Sequence, residues 1–136
     1  MSTLPAVDKA RENYLAEHPF DPHEHALMGY DLHGNPSGFL TLPDMGDMQV
    51  LAAKLGFDYL ARCTSGDEED IEEWVVSAVK LAGSPDLAGI MFAHVFRGID
   101  MFLGHLFNTT GVSDTIRSIA IQSWQKDFTT EGDTNE

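Results

Sequence analysis

Residues Ser65–Pro85 read SGDEEDIEEWVVSAVKLAGSP, and this stretch contains the signals that decide the fold. Ser65 followed by Glu68 matches a capping box, which is typical of a helix start. The apolar residues after it recur at helical spacing and form the stripe Ile71, Trp74, Val75, Ala78 and Ala82. Gly83 is typical of a helix end, and Ser84-Pro85 of the cap and first residue of the next helix. The stretch therefore predicts two consecutive helices joined by a short turn.

Helical spacing continues on both sides of this stretch. Upstream, residues 3–17 predict a first helix capped by Thr3, and residues 44–62 predict a second. Downstream, residues 85–108 are the most apolar part of the chain and predict a central helix that is buried on most sides. The last predicted helix, residues 113–128, turns inward Ile116, Ile119, Ala120, Trp124 and Phe128. We expect both tryptophans, Trp74 and Trp124, to be core residues.

Residues 30–42, YDLHGNPSGFLTL, have a different character. Two short runs flank a cluster of turn formers at 34–38, which predicts a small β-hairpin. The predicted fold class is mostly all-α: a compact bundle of five longer helices plus one short helix, with this hairpin near residues 30–42. We expect a single helical domain over residues 1–128 and a disordered acidic tail over residues 129–136.

The stretch His18–His25, HPFDPHEH, allows two interpretations, of which the first is a metal site. On an extended strand, alternate side chains share a face, so His23 and His25 would form a His-x-His pair. Either His18 or His33 would complete the set and offer zinc its usual nitrogen ligands.

The second interpretation is the short helix, with Asp21 as its N-cap, Pro22 as its first residue and Gly29 at its end. Residues two apart on a helix point about 200° apart, so His23 and His25 would not share a metal. We favour this interpretation because it explains Asp21, Pro22, Glu24 and Gly29 together, whereas a metal site explains only the histidines. It predicts no metal site and no cofactor.

The balance of charge is the clearest unusual property of the composition. The chain has 22 acidic and 8 basic residues, a formal net charge of −14. Nucleic-acid binding requires clustered Lys and Arg that displace phosphate counterions, so direct nucleic-acid binding is disfavoured, and an anionic membrane is disfavoured for the same reason. A macromolecular partner attracted by this charge would present a basic protein surface. The alternative is that the acidity only keeps the protein soluble.

Six acids fall within seven residues and are the candidate interaction residues: Asp67, Glu68, Glu69, Asp70, Glu72 and Glu73. Acids in the first turn of a helix complement its macrodipole, which is a structural reason for most of them. Like charges four residues apart, such as Glu68 and Glu72, cost roughly a few tenths of a kcal/mol. A basic partner would relieve this repulsion.

A second candidate is a polar stripe along the helix predicted at 85–108, formed by His94, Arg97, His105 and Asn108. The stripe is either the solvated side of the helix or a contact line for a partner. His94 and His105 lie roughly 16 Å apart along the axis, too far to share one metal. Arg97, together with Asp100, places charge at the centre of the helix, which makes a membrane span unfavourable.

Signals for catalysis are few, and we predict no catalytic residues. Cys63 follows the end of an apolar helix, where the dipole disfavours a thiolate. The pattern Glu68-Glu69-x-x-Glu72 resembles half of the magnesium-binding signature of the all-α nucleotide pyrophosphatases. That family carries a downstream Glu-x-x-Asp, whereas this chain has Arg97-x-x-Asp100. The resemblance implies a magnesium-dependent enzyme only if the departure at Arg97 is tolerated.

Three functional hypotheses follow, in order of preference. The first is a small acidic interaction protein that binds a basic protein surface, as an inhibitor, antagonist or assembly chaperone of the kind that phages and mobile elements encode. The second is a structural subunit of a homo-oligomer, assembled through the helix at 85–108. The third is a metal-dependent enzyme that uses the N-terminal histidines or the acids at 67–73. The single cysteine, Cys63, fits a reducing cytoplasm.

Overall fold

A computed structural model describes residues 4–126 of the chain. Helices account for 70% of these residues, which confirms the predicted mostly α-helical fold with a small hairpin. In chain order, the elements are α1 (Pro5–Glu17), β1 (His25–Tyr30), β2 (Pro36–Leu42), α2 (Met45–Cys63), α3 (Glu68–Ala82), α4 (Pro85–Thr110) and α5 (Ser113–Gln125). The predictions for Thr3, Phe128 and the tail at 129–136 lie outside the described residues.

The chain divides into two compact units, the first ending at Asp100 and the second beginning at Met101. The first unit contains α1, the hairpin, α2, α3 and the first part of α4. The second contains the rest of α4 and α5. The prediction of one domain over residues 1–128 stays a prediction.

Helix α3 begins at the predicted place but uses a different cap. The Asp67 carboxylate accepts a hydrogen bond from the Glu69 backbone N–H at 2.9 Å. Ser65, the predicted cap, instead accepts from the Asp67 N–H at 3.1 Å and donates to the Arg62 carbonyl at 2.7 Å. The true cap therefore lies two residues later than the capping box suggests, and Ser65 organises the turn between α2 and α3.

The end of α3 and the start of α4 follow the sequence signals. Gly83 adopts a left-handed conformation with φ 87°, where a residue without Cβ avoids strain. The Ser84 hydroxyl accepts from the Leu87 N–H at 3.2 Å, and Pro85 is the first residue of α4. The predicted stop and restart are confirmed.

The core of the first unit is formed by the facing stripes of α2, α3 and α4. Trp74 is 5% exposed, and its indole N–H donates to the Leu55 carbonyl at 3.1 Å. Its ring packs against Tyr59 and Phe92, with centroids 4.9 and 5.9 Å away. The prediction that Trp74 is a core residue is confirmed.

A glycine lets α2 and α4 approach each other closely. A Cβ atom at Gly56 would lie 2.6 Å from the Cγ2 atom of Ile99. Such a distance is far inside van der Waals contact, so any side chain at this position would push the two helices apart.

Helix α4 was predicted to be buried on most sides. Within the first unit it buries only one face, so this prediction is wrong there. Its buried residues are Leu87, Ala88, Met91, Val95 and Ile99, which recur at helical spacing. The opposite face is open, because Ile90 is 41% exposed and Phe96 66%. Among the described residues, α4 is also the one helix that is long and apolar enough to cross a membrane by length and composition.

The predicted short helix ending at Gly29 is wrong, because this part of the chain forms β1. The Asp21 carboxylate accepts from the His23 N–H at 2.8 Å, which closes a turn and does not begin a helix. Leu27 and Met28 then pair with residues of β2 in an antiparallel register. The cross-strand partner outweighs the weak helix signal, because a few residues of helix are marginal without packing.

The hairpin turn lies slightly earlier than predicted. The Asp31 carboxylate accepts from the backbone N–H groups of His33 and Asn35, at 2.9 and 3.0 Å. Gly34 supplies the positive φ, 79°, that the turn needs. Pro36 begins β2, a position that proline tolerates because the first residue of a strand need not donate to the ladder.

The inward orientation predicted for α5 is wrong among the described residues, since this helix contains no buried residue. Ile116 is 40% exposed, Ile119 54% and Trp124 91%, and Ala120 is exposed as well. Helical spacing identifies an apolar stripe but carries no information about an element that covers it. The prediction that Trp124 is a core residue is therefore wrong, whereas the same prediction for Trp74 is confirmed.

Candidate functional site

The acidic run of the sequence becomes the solvent-facing side of α3. Glu68, Glu69, Glu72 and Glu73 are exposed, and Asp67 is half-buried because it serves as the N-cap. These glutamates lie within the first two turns of the helix. Like charges four apart face each other here, so the helix carries a concentrated negative potential on this side.

Asp70 is the exception among the six candidate interaction residues, because it is only 1% exposed. It precedes Trp74 by four residues and therefore shares the buried face of α3. A partner cannot reach this carboxylate, so Asp70 has to be removed from the candidate contact surface. The spacing to Trp74 was a signal already present in the sequence.

Apolar residues continue the acidic surface toward the carboxyl end of α3. Val76 is 52% exposed and Val79 39%. Residues two apart on a helix point about 200° apart, so Val76 lies opposite the buried Trp74. We call the exposed glutamates of α3 together with Val76 and Val79 the α3 outer face. Apolar side chains beside charged ones are a usual combination in a protein–protein interface.

The polar stripe predicted on α4 is divided between the two units. His94, which is half-buried, and Arg97, which is exposed, belong to the first unit. His105 and Asn108 are exposed and belong to the second, where the Asn108 side-chain oxygen accepts from the Ser113 hydroxyl at the start of α5. Asn108 thus has a structural role in its own unit. A partner contact along the whole stripe stays a prediction.

The two histidines of the proposed metal pair have different neighbours. His23 lies in the turn before β1, and its Nδ1 atom is 2.6 Å from the Thr41 hydroxyl. His25 opens β1 beside Glu24 and Asp44, and one ligand atom from each of these three lies within 4.8 Å of the others. The three side chains are exposed or half-buried, and Asp44 also caps α2. The expectation that no metal is bound stays a prediction.

A groove between α1 and α2, with a volume of about 480 Å³, is a feature that the sequence did not indicate. Its apolar lining comes from Val7, Ala10 and Tyr14 on α1 and from Leu51, Leu55 and Ala61 on α2. We call it the α1–α2 groove. The available signal was the weakly amphipathic α1, which contains no fully buried residue and so leaves its apolar side partly open.

Charged side chains border this groove at Arg11, Lys54 and Asp58. The Asp58 carboxylate accepts from the guanidinium of Arg62 at 2.7 Å, and Arg62 also binds Asp8 at 2.6 Å. The hydrogen bond from Arg62 to Asp58 is the main reason that the pKa of Arg62 is raised. Asp58 is therefore already committed to a buried ion pair.

The two other basic groups at the groove are placed differently. The Lys54 ammonium lies over the Tyr14 ring, 4.7 Å from its centroid. Burial lowers the pKa of Arg11, although Asp58 acts in the opposite direction. Among residues 4–126, neither Arg11 nor Lys54 has a carboxylate within ion-pair distance. Both are available to a negatively charged group.

Cys63, the last residue of α2, is exposed. A hydrogen bond with its thiol raises the pKa of the neighbouring Tyr59. Its interpretation as an unreactive thiol stays a prediction.

Comparisons of the chain with protein-family models, with curated proteins and with solved structures found no match. The resemblance to the nucleotide pyrophosphatases therefore rests on Glu68-Glu69-x-x-Glu72 alone.

Proposed function

We propose that this protein is a small acidic interaction protein that binds a basic protein surface through the α3 outer face. The observation that carries the proposal is Val76, an apolar side chain that is 52% exposed and follows the exposed glutamates by one turn on the same side of α3. Acidity for solubility alone explains the glutamates but gives no reason for exposed valines beside them. Valines next to glutamates match a partner with apolar side chains beside Lys and Arg.

The packing of α3 supports this role. Trp74 fixes the inner side of the helix, and Gly83 and Asp67 fix its two ends. A surface presented by an anchored helix loses little conformational freedom on binding, which favours affinity. We place this activity in the cytoplasm, where an inhibitor, antagonist or assembly chaperone would meet its basic target.

The experiment is capture of the partner from a cell lysate at low and high salt, with two variants that carry the same net charge. The first, Glu69→Lys with Glu72→Lys, reverses charge on the α3 outer face and spares the helix cap. The control, Glu12→Lys with Glu17→Lys, reverses two exposed glutamates of α1. We expect the unsubstituted chain and the control variant to capture the partner, and this capture should weaken as the salt concentration rises. The α3 variant should capture no partner. Equal capture by both variants would overturn the proposal.

The apolar part of the α3 outer face is tested by a second pair of variants. Val76→Ser should weaken capture at all salt concentrations, because it removes buried contact area from the interface. Val50→Ser is the matched control, since Val50 on α2 is 50% exposed and lies outside the α3 outer face. If both serine variants behave alike, Val76 is an ordinary surface residue.

A second candidate is the structural subunit of a homo-oligomer, and it is favoured by the open face of α4. Phe96 is 66% exposed and Ile90 41%, and large apolar side chains that face solvent are candidates for contact with a second copy of the chain. Light scattering of the purified chain distinguishes the two candidates. A stable oligomer that Phe96→Ser dissociates would favour the subunit role, and a monomer would exclude it.

A further inference from the structure

We propose that the α1–α2 groove binds a small amphipathic anion, a molecule with an unbranched apolar chain and one negatively charged head group. This site is separate from the α3 outer face, and the proposal does not depend on the interaction function. A medium-chain fatty acid is the simplest compound of this class. The size of the groove, its lining and the charged side chains around it all fit such a ligand.

The dimensions and lining fit the apolar part of such a ligand. The volume of about 480 Å³ falls within the range of roughly 300–1,000 Å³ that is typical of small-molecule sites. The walls come from aliphatic side chains of two helices, with the Tyr14 ring at one side. An unbranched chain laid between the helices would remove this surface from water, which is the main favourable contribution to binding.

The charges select the head group. Three charged residues line the groove, and the carboxylate among them, Asp58, binds Arg62 at 2.7 Å and shares it with Asp8. Arg11 and Lys54 remain, and neither forms an ion pair with residues 4–126. Arg11, Lys54 and Arg62 together face two carboxylates, Asp8 and Asp58, and this excess of positive charge beside an apolar groove favours an anion over a cation. A charge-assisted hydrogen bond from the half-buried Arg11 would be stronger than one to a neutral group.

Lys54 is already directed toward the groove. Its ammonium lies over the Tyr14 ring, so its side chain bridges from α2 toward α1 at the edge of the groove. This contact leaves the ammonium free to donate to an anion, because a ring face uses none of its N–H donors in a conventional hydrogen bond. The head group is therefore expected between Lys54 and Arg11, with the apolar chain directed along Leu51 and Leu55.

The test is calorimetric titration of the full chain with decanoate, decyl phosphate and decanol, which share a chain length and differ in head group. We expect saturable binding of an anion at least about tenfold tighter than that of decanol, equivalent to one charge-assisted contact. The tighter of the two anions identifies the head group as carboxylate or phosphate. Equal binding of decanol and both anions, or no saturable binding of any, would overturn the proposal.

Variants locate the site. Arg11→Met and Lys54→Met should each weaken anion binding by about tenfold and leave decanol binding unchanged, because methionine keeps the apolar stem and removes the charge. Lys9→Met is the control, since Lys9 is exposed on α1 and outside the groove. Ala10→Phe should fill the groove and abolish binding of all three compounds. Unchanged anion binding in both charge variants, with helicity intact by circular dichroism, would contradict the assignment.

Discussion

Helices α3 and α5 look alike in the sequence and differ in the structure. Each carries at least one acidic residue in its first turn and a tryptophan on an apolar stripe. In α3, Trp74 is 5% exposed, whereas in α5, Trp124 is 91% exposed. An apolar stripe in the sequence therefore does not by itself show that the helix buries that stripe.

The difference lies in the specific contacts that surround each tryptophan and each helix start. Trp74 donates to the Leu55 carbonyl and packs against two other aromatic rings, and Asp67 caps α3 through its side chain. Val112, the N-cap of α5, makes no side-chain cap hydrogen bond. A stripe that coincides with strong start and stop signals was the more reliable indication of a packed helix. For function, this means that α3 presents its outer face from a fixed position.

The largest expected effect comes from truncating the two tryptophans. Trp74→Ala should lower the free energy of unfolding by about 3–5 kcal/mol, because it removes a buried indole and leaves a cavity. Trp124→Ala should change it by less than about 0.5 kcal/mol, as is usual for an exposed side chain. Urea denaturation followed by circular dichroism measures both. Similar losses of stability in the two variants would mean that the two tryptophans are equally buried.

The next effect concerns two arginines with carboxylate partners. Arg62 is 4% exposed and binds Asp8 and Asp58, so Arg62→Met should destabilise the fold by about 3 kcal/mol, since it leaves Asp58 without its counter-charge. Arg117 pairs with Asp114 on α5 at the surface, and Arg117→Met should cost less than about 1 kcal/mol. Urea denaturation measures the free energy of unfolding of both arginine variants. An equal cost would mean that the Arg62 pair is solvated.

Two helix glycines give a smaller and opposite pair of effects. Gly56→Ala should destabilise by about 1–3 kcal/mol, because its Cβ would meet Ile99 at 2.6 Å. At Gly104 in α4, an added Cβ would meet no neighbouring atom of the described residues within 4 Å, so Gly104→Ala should stabilise by up to about 1 kcal/mol. Thermal unfolding should therefore shift downward in the first variant and upward in the second. A rise in both would show that α2 and α4 are not closely packed.

Much of the fold followed from local signals in the sequence. Gly83 and Ser84-Pro85 fixed the boundary between α3 and α4, because each uses a backbone property that needs no distant partner. The strand β1 did not follow, because its conformation depends on pairing with β2 across the hairpin. The local signals favoured a helix there, and the partner strand reversed that preference.

The candidate site was predictable only in part. The exposed glutamates of α3 were found from charge alone, and the spacing of Asp70 to Trp74 would have removed Asp70 from the set. The weak amphipathicity of α1 indicated only that its apolar side is partly open. The α1–α2 groove itself could not be predicted, because it depends on the distance between two helices and on how Asp8 and Asp58 share Arg62.

The smallest expected change in stability belongs to the α3 outer face. Glu69→Lys with Glu72→Lys should alter the free energy of unfolding by no more than about 0.5 kcal/mol, since both side chains are exposed. Relief of repulsion between Glu69 and Glu73 and the loss of favourable dipole interactions act in opposite directions. A large loss of stability would mean that these glutamates serve the fold and not a partner.

Trp74 is enclosed and anchors α3, whereas Trp124 of α5 is open to solvent. Acrylamide quenching of tryptophan fluorescence in two single-tryptophan variants, Trp124→Phe and Trp74→Phe, measures this difference. In the Trp124→Phe variant, the remaining Trp74 should emit at short wavelength and be quenched weakly. In the Trp74→Phe variant, with helicity verified by circular dichroism, Trp124 should be quenched like free indole. Equal quenching of the two tryptophans would contradict this difference, and strong quenching of Trp74 would remove the anchored helix on which the proposed interface depends.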